Sequence, residues 1–268
     1  MAKGTARRTG QRPPWTLALF ALVGVGFLVG PLLALLVRTP WRSLPTLLAD
    51  PEVGQALRLS LVAATAATAL CVLVGVPLAW LLTQPWLPGR SVLRALVTVP
   101  LVLPPVVGGV ALLMLFGRRG VLGEPLAALT GLTIPFTTTA VVLAEAYVAL
   151  PFLVLSVEGA LRTIDRRYEE AAATLGADRW TVFRRVTLPL LLPGIASGTV
   201  LAWARALGEF GATVTFAGSF PGVTRTMPIA VYVALETNPD AAVALAVVLL
   251  AVSVAILAAL RDRWLVRP

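Results

Sequence analysis

Apolar residues run along this chain in stretches of about twenty positions, and most charges fall between the stretches. Six such runs can be read, at about 15 to 37, 57 to 82, 95 to 116, 137 to 157, 188 to 210 and 241 to 260. Each is long enough to cross a hydrocarbon layer as a helix, which needs about twenty residues. The pattern predicts an all-α membrane protein with six transmembrane helices. The second run is rich in Ala and Thr, which favours close helix contact. The third contains Pro100, Pro104, Pro105, Gly108 and Gly109, so its hydrogen-bond ladder should be broken, a device tolerated at membrane depth beside protein or a water-filled cavity. That makes it either a pathway wall or a kinked packing helix. Between the first two runs, Pro40, Pro45 and Pro51 argue against continuous helix. Residues 211 to 240 are less apolar and predict a loop with a short interfacial helix around 228 to 235.

The segment from 161 to 189 departs from this pattern. Ile164, Tyr168, Ala171 and Leu175 recur at helical spacing, and the intervening positions carry Arg162, Asp165, Arg166, Arg167, Glu169 and Glu170. Gly176 can leave a helix with positive φ, and Asp178 is suited to cap a second short helix bearing Trp180, Val182, Phe183 and Val186. Helix, glycine corner, helix is the expected shape. Such a piece suits a groove in a partner protein; an ordinary loop resting on lipid headgroups is the alternative.

Composition sharpens the class. Hydrophobic residues make up 58% of the 268, charged residues 13%, and mean hydropathy is +0.88, against about 25% charged for a soluble domain. The net charge of +9 raises nucleic acid as a partner, but the cations sit at the ends of apolar runs without interleaved aromatics, so none is expected. Membrane orientation accounts for them. The 1 to 14 tail, the 83 to 94 turn, the 161 to 187 loop and the end of the chain hold fifteen of the 22 Lys and Arg, which puts both termini and the loop in the cytoplasm by the positive-inside rule. The first run is longer than a secretory signal's apolar region and reads as a retained span. Cys71 lies in an apolar run, and the chain has no histidine, so zinc sites and Ser/His or Cys/His nucleophile pairs are disfavoured. Nor is there a G-x-x-x-x-G-K-[ST] phosphate loop. No cofactor is expected in this chain.

The residues Glu170-Ala171-Ala172, Gly176 and, after nine positions, Val186-Thr187-Leu188-Pro189 resemble the signature loop of ABC importer membrane subunits. Val186 stands where isoleucine is usual. The resemblance implies a type I importer permease with Glu170, Ala171, Ala172, Gly176, Val186, Leu188 and Pro189 in a coupling helix seated on an ATPase. It further implies a homodimer of permeases in the cell membrane, two ABC ATPase subunits that bind ATP and Mg, and an external solute-binding protein. One permease domain over 15 to 263, with cytoplasmic tails at 1 to 14 and 264 to 268, then accounts for the chain.

A second stretch bears on what is carried. Arg205-Ala206-Leu207-Gly208-Glu209-Phe210-Gly211-Ala212-Thr213, continuing through Thr215 to Gly218, then Pro221 to Tyr232, is similar to molybdate-type importer permeases and, less closely, to sulfate-type ones. Tungstate is not separable from molybdate. Arg205, Gly208, Glu209, Phe210, Gly211, Thr213 and Thr215 are the candidate pathway or gate residues. An ionisable residue at membrane depth invites a functional reading, yet Arg205 and Glu209, four apart, can neutralise each other on one helix face. Glu145 is a rival partner for Arg205. With one cation inside a span, no tight anion site is expected, and selectivity should lie with the external receptor. An ion-coupled secondary transporter is the competing class, but it would want an internal repeat, and none is visible.

Overall fold

The computed structural model describes residues 15 to 165 and 167 to 264, and no strand occurs among them. Arg166, the basic 1 to 14 tail and residues 265 to 268 lie outside the described residues. Thirteen helices are described. The long ones are α1 (Trp15–Arg38), α3 (Pro51–Thr83), α7 (Thr138–Thr163), α10 (Leu188–Leu207) and α13 (Pro239–Trp264). Between them lie α2 (Leu44–Leu48), α4 (Arg90–Val102), α5 (Pro105–Phe116), α6 (Gly123–Thr130), α8 (Arg167–Thr174), α9 (Arg179–Val182), α11 (Gly211–Ala217) and α12 (Met227–Thr237).

Five helical stretches are long and apolar enough to cross a membrane, the fourth running from Arg179 to Leu207, and the pair α4 and α5 makes a sixth crossing if its two bent halves count as one. The axes of that pair differ by 118°. Pro104 lacks an N–H and Pro105 opens α5, so the ladder stops at Leu103, as the prolines predict. Helix α3 is longer than its apolar run. Asp50 caps it by accepting from the Glu52 N–H at 2.9 Å, and Pro51 supplies a preformed first turn, so the connector is not one continuous helix, as its prolines predict, and Pro51 opens a new one. Pro45 likewise sits in the first turn of α2.

Helices α3, α7 and α10 form the centre. Ala64, Ala67, Cys71 and Ala79 on α3 meet Ala149, Leu153, Val154 and Val157 on α7 and Leu191, Ala202 and Ala206 on α10. Inside a bilayer, lipid is as apolar as leucine, so it is close van der Waals approach between small residues that holds such helices together. The Cys71 thiol points to the Ala146 carbonyl at 3.4 Å, a buried packing role. Helix α7 also packs, through Ala140, Val141, Ala144 and Val148, on Leu112 of α5 and Ala212, Phe216 and Ala217 of α11. Helix α12 covers the short helix expected around 228 to 235; it pairs with α13 and lies over the start of α3, with the Met227 N–H donating to the buried Ser60 hydroxyl at 2.7 Å. Helix α1 stands at the edge, exposed over almost its whole length.

The bundle has two distinct ends. At one, Trp80 near the end of α3 meets Phe183, and Arg94 of α4 meets Glu158 of α7, so the 84 to 89 turn and the 161 to 187 loop share a side. At the other, Arg225 pairs with Glu52 at 3.2 Å, the Thr138 hydroxyl donates to the Val223 carbonyl at 2.9 Å, and Phe136 meets Phe220 edge-on. This is the grouping that the cation distribution predicts for the internal segments.

Candidate coupling loop and span junction

Ile164 does not join the loop helix. It closes α7 in an extended conformation, and the Asp165 carboxylate then accepts from the Arg167 N–H at 3.0 Å, so α8 begins only at Arg167. The expected stripe of Ile164, Tyr168, Ala171 and Leu175 is therefore cut at its first member, and Tyr168 and Leu175 face outward. The glycine corner is present. Gly176 has φ +83°, the Ala177 N–H reaches the Ala172 carbonyl at 3.2 Å, and the Gly176 N–H reaches the Ala173 carbonyl at 3.0 Å. Those two bonds are the paired closure by which a left-handed residue satisfies the last carbonyls of a helix.

Asp178 then caps α9, accepting from the Thr181 N–H at 3.3 Å. Side-chain hydrogen bonding from Thr181, helped by backbone N–H groups, holds its carboxyl below the ordinary carboxylate range. From Val182 the chain passes through one wide π turn, Phe183–Thr187, straight into α10, with Pro189 in that helix's first turn. The Thr187 hydroxyl donates to Glu169 at 2.6 Å and ties α8 back to the base of α10. Trp180 stacks on Phe183, which meets Trp80 of α3. Of the motif residues, Glu170, Ala171, Gly176 and Pro189 are exposed, whereas Ala172, Val186 and Leu188 are half-buried against the rest of the loop. Ala173, Leu175 and Trp180 extend the exposed side, Leu175 being 89% accessible. The result is an elbow with an unfilled apolar and acidic face.

The second candidate group lies deeper. Helix α10 ends at Leu207, Gly208 caps it, and Glu209 belongs to the turn into α11, not to α10. The pairing anticipated from the four-residue spacing forms nonetheless, with Arg205 Nη2 2.6 Å from Glu209 Oε2. Glu209 Oε2 is close enough for an ion pair but lacks an aligned hydrogen bond. The other oxygen, Oε1, accepts from the Ala212 N–H at 2.8 Å and caps α11. Glu209 thus joins the end of one helix to the start of the next. Glu145 of α7, the rival partner, is 1% exposed, and its Oε2 has no hydrogen-bond partner.

Around this turn the backbone packs tightly. A Cβ on Gly211 would lie 2.9 Å from Pro105 Cβ and 3.2 Å from the Val106 nitrogen; one on Gly109 would lie 2.8 Å from the Ala212 carbonyl and 2.7 Å from Thr215 Cβ. The junction therefore sits directly on the α4–α5 break. Phe210 turns its ring to Tyr232 at 4.9 Å, Thr215 bonds its hydroxyl to the Gly211 carbonyl at 2.8 Å, and Thr213 is fully buried with no partner for its hydroxyl. The structure brings Arg205, Gly208, Glu209, Phe210, Gly211, Thr213 and Thr215 together at one joint, although Thr213 and Glu209 face protein interior.

Sequence reasoning missed two connections around the elbow. The Glu169–Thr187 bond links residues eighteen apart with no periodic signal. Glu158, buried on α7, accepts from Arg162 of its own last turn at 3.0 Å and also from Arg94 of α4. The Glu158–Arg162 spacing was visible; the Arg94 contact was not.

A helical bundle with five or six candidate crossings, one of them broken, and an exposed elbow between two others is the architecture of a polytopic membrane protein. The chain belongs to the family of binding-protein-dependent transport system inner membrane components, whose family model matches residues 72 to 267. It is 54% identical over 243 residues to the Molybdenum transport system permease protein ModB of Mycobacterium tuberculosis, covering 90% of each chain. It is 44% identical to the protein of that name in Escherichia coli, over 82% of this chain and 96% of the relative. Identity to the Escherichia coli Sulfate transport system permease protein CysT is 36%, over 83% and 80%. Its fold matches a chain in the crystal structure of a bacterial alginate ABC transporter in complex with an alginate pentasaccharide-bound periplasmic protein, with a TM-score of 0.72 at 17% identity over 92% of both chains. Type I ABC importer permeases thus share its architecture.

Proposed function

We propose that this chain is the permease of an ATP-driven importer for molybdate, with tungstate as the close alternative cargo. The observation that carries the reading is identity of 54% across nine-tenths of the chain with a molybdenum permease, against 36% for a sulfate one. In this reading two copies of the chain form the pathway, two separate ATPases bind ATP and Mg, and an external solute-binding protein delivers the anion. Both termini and the 161 to 189 loop face the cytoplasm.

Glu170, Ala171, Ala172, Gly176, Val186, Leu188 and Pro189 then couple the ATPase to the bundle. The exposed face of Glu170, Ala171, Leu175 and Trp180 supports this, since a groove in a partner would cover it, as an amphipathic helix is covered in other groove complexes. Arg205, Gly208, Glu209, Phe210, Gly211, Thr213 and Thr215 form the moving joint beside the broken span. Nucleotide-driven movement of the elbow tilts α10 and, through the Glu209 turn, α11 and the α4–α5 break. With Arg205 neutralised by Glu209, the pathway offers an anion little to bind, and the external receptor sets selectivity.

The test is reconstitution with the cognate ATPase and solute-binding protein in liposomes. ATP-dependent uptake of molybdate that a tenfold excess of sulfate leaves intact supports the reading; sulfate uptake that molybdate fails to inhibit reverses the substrate, and uptake driven by an ion gradient without ATP overturns the class.

A further inference from the structure

Helix α4 is held to the bundle lightly. None of its residues is buried, and only Leu93 and Val97 lie against the central core. Its one charged attachment among the described residues is Arg94, which donates to Glu158 of α7 across 64 residues of sequence. Glu158 is buried and stands on the last turn and a half of α7, just ahead of the loop whose first helix begins at Arg167. The same carboxylate holds Arg162, so the loop-bearing end of α7 and the first half of the broken span meet at one acidic residue.

We infer that Glu158 is a positioning residue for transport: it makes α4 follow the loop-bearing end of α7, so that movement of the elbow reaches the break at Leu103 and Pro104. The inference rests on the coupling role given to the elbow above. Parting Arg94 from this covered carboxylate leaves Glu158 only the more exposed Arg162, so separation is resisted. A helix with no buried side chains of its own has little else to make it follow. The α4 end of the pair then leads, past the break, to Gly109 and the Glu209 joint, which gives a continuous physical route from elbow to junction. Glu158 touches neither cargo nor nucleotide on this route; it acts through Arg94.

The experiment uses the complete transporter in liposomes, with permease, ATPase and solute-binding protein, and measures copurified ATPase, ATP hydrolysis and molybdate uptake separately. Arg94→Ala and Glu158→Gln should retain the ATPase and most ATP hydrolysis while molybdate taken up per ATP falls about tenfold, within the range for residues along a coupling network. The double variant should be no worse than the worse single one, because both remove the same link. Arg94→Lys should restore most of the ratio. Arg90→Ala, which removes an exposed cation from the same end of α4, should leave it unchanged. If Glu158→Gln proves too unstable to purify, Arg94→Ala decides, since that side chain is one-third exposed and its loss leaves Arg162 on Glu158. An unchanged ratio in Arg94→Ala, or additive losses in the double variant, overturns the inference. Wild-type permease that binds no ATPase overturns the coupling reading as well, so the two failures are told apart.

Discussion

The elbow at 161 to 189 and the joint at 205 to 215 carry the chain's two densest clusters of recognisable residues, and they are built in opposite ways. At the joint, polar groups and glycines are enclosed: Glu209 pairs with Arg205 and caps the start of α11, and Gly211 and Gly109 admit Pro105 Cβ and the Ala212 carbonyl closer than a Cβ would tolerate. At the elbow the same residue types face outward, with Gly176 having nothing within 4 Å of its would-be Cβ and Leu175 left almost bare. One region is a finished internal bearing, and the other is half of an interface. Changes in the first should therefore cost folding, and changes in the second should cost only assembly and coupling.

The contrast is tested most severely by Gly109→Val. The added side chain meets the Ala212 carbonyl and Thr215 with no flexible neighbour to yield, so a loss of about 3 kcal/mol, at the upper end for overpacking, is expected in detergent unfolding. Glu209→Ala comes next. It leaves Arg205 without its partner and the Ala212 N–H without an acceptor, for about 2 kcal/mol, less than a fully buried pair because Arg205 is 27% exposed. Glu209→Gln keeps the Oε1 acceptor and should fold nearly as well, while changing uptake or basal ATP hydrolysis. Wild-type values of both would remove the residue from any gating role.

At the elbow, Gly176→Val should cost about 1–2 kcal/mol locally, because a β-branched residue resists positive φ. Global unfolding should be unchanged, and ATPase copurification should drop. If instead the bundle itself unfolds earlier, the elbow is more integral than its exposure indicates. The smallest effect concerns Asp178. Its carboxyl is held low in the folded loop, so its capping contribution is complete above the ordinary carboxylate value of about 3.9 and is lost as pH falls through the lower folded value. Asp178→Asn should flatten the acid end of loop protection measured by hydrogen exchange and leave the profile above pH 5, about one unit higher, untouched.

What could be read in advance follows from the range of the forces involved. Local signals were legible: apolar length marked the spans, Pro104 and Pro105 marked the break, Gly176 the corner and Asp178 the cap, because each acts through its own or adjacent backbone. Helix ends were read less well. Arg205 and Glu209 look like neighbours on one helix, whereas Gly208 ends α10 between them, and the pair forms across the turn instead. Ile164 fits the periodicity of α8, yet Asp165 starts that helix afresh. Contacts between distant segments left no local trace, and Glu169 with Thr187, Glu158 with Arg94 and Ser60 with Met227 all required the folded chain. The family resemblance supplied what periodicity could not, since an exposed amphipathic loop looks the same whether lipid or protein covers it.

Photo-crosslinking from Leu175 in the assembled transporter tests the central claim most directly. That side chain is the most exposed of the elbow's large apolar residues and stands clear of the bundle's packing, so a crosslinker there reports what covers it. The account predicts a strong adduct with the ATPase subunit in intact membranes and protection of the site from reagents added outside the cell. An adduct to lipid alone, or labelling by an impermeant reagent from outside, would contradict it.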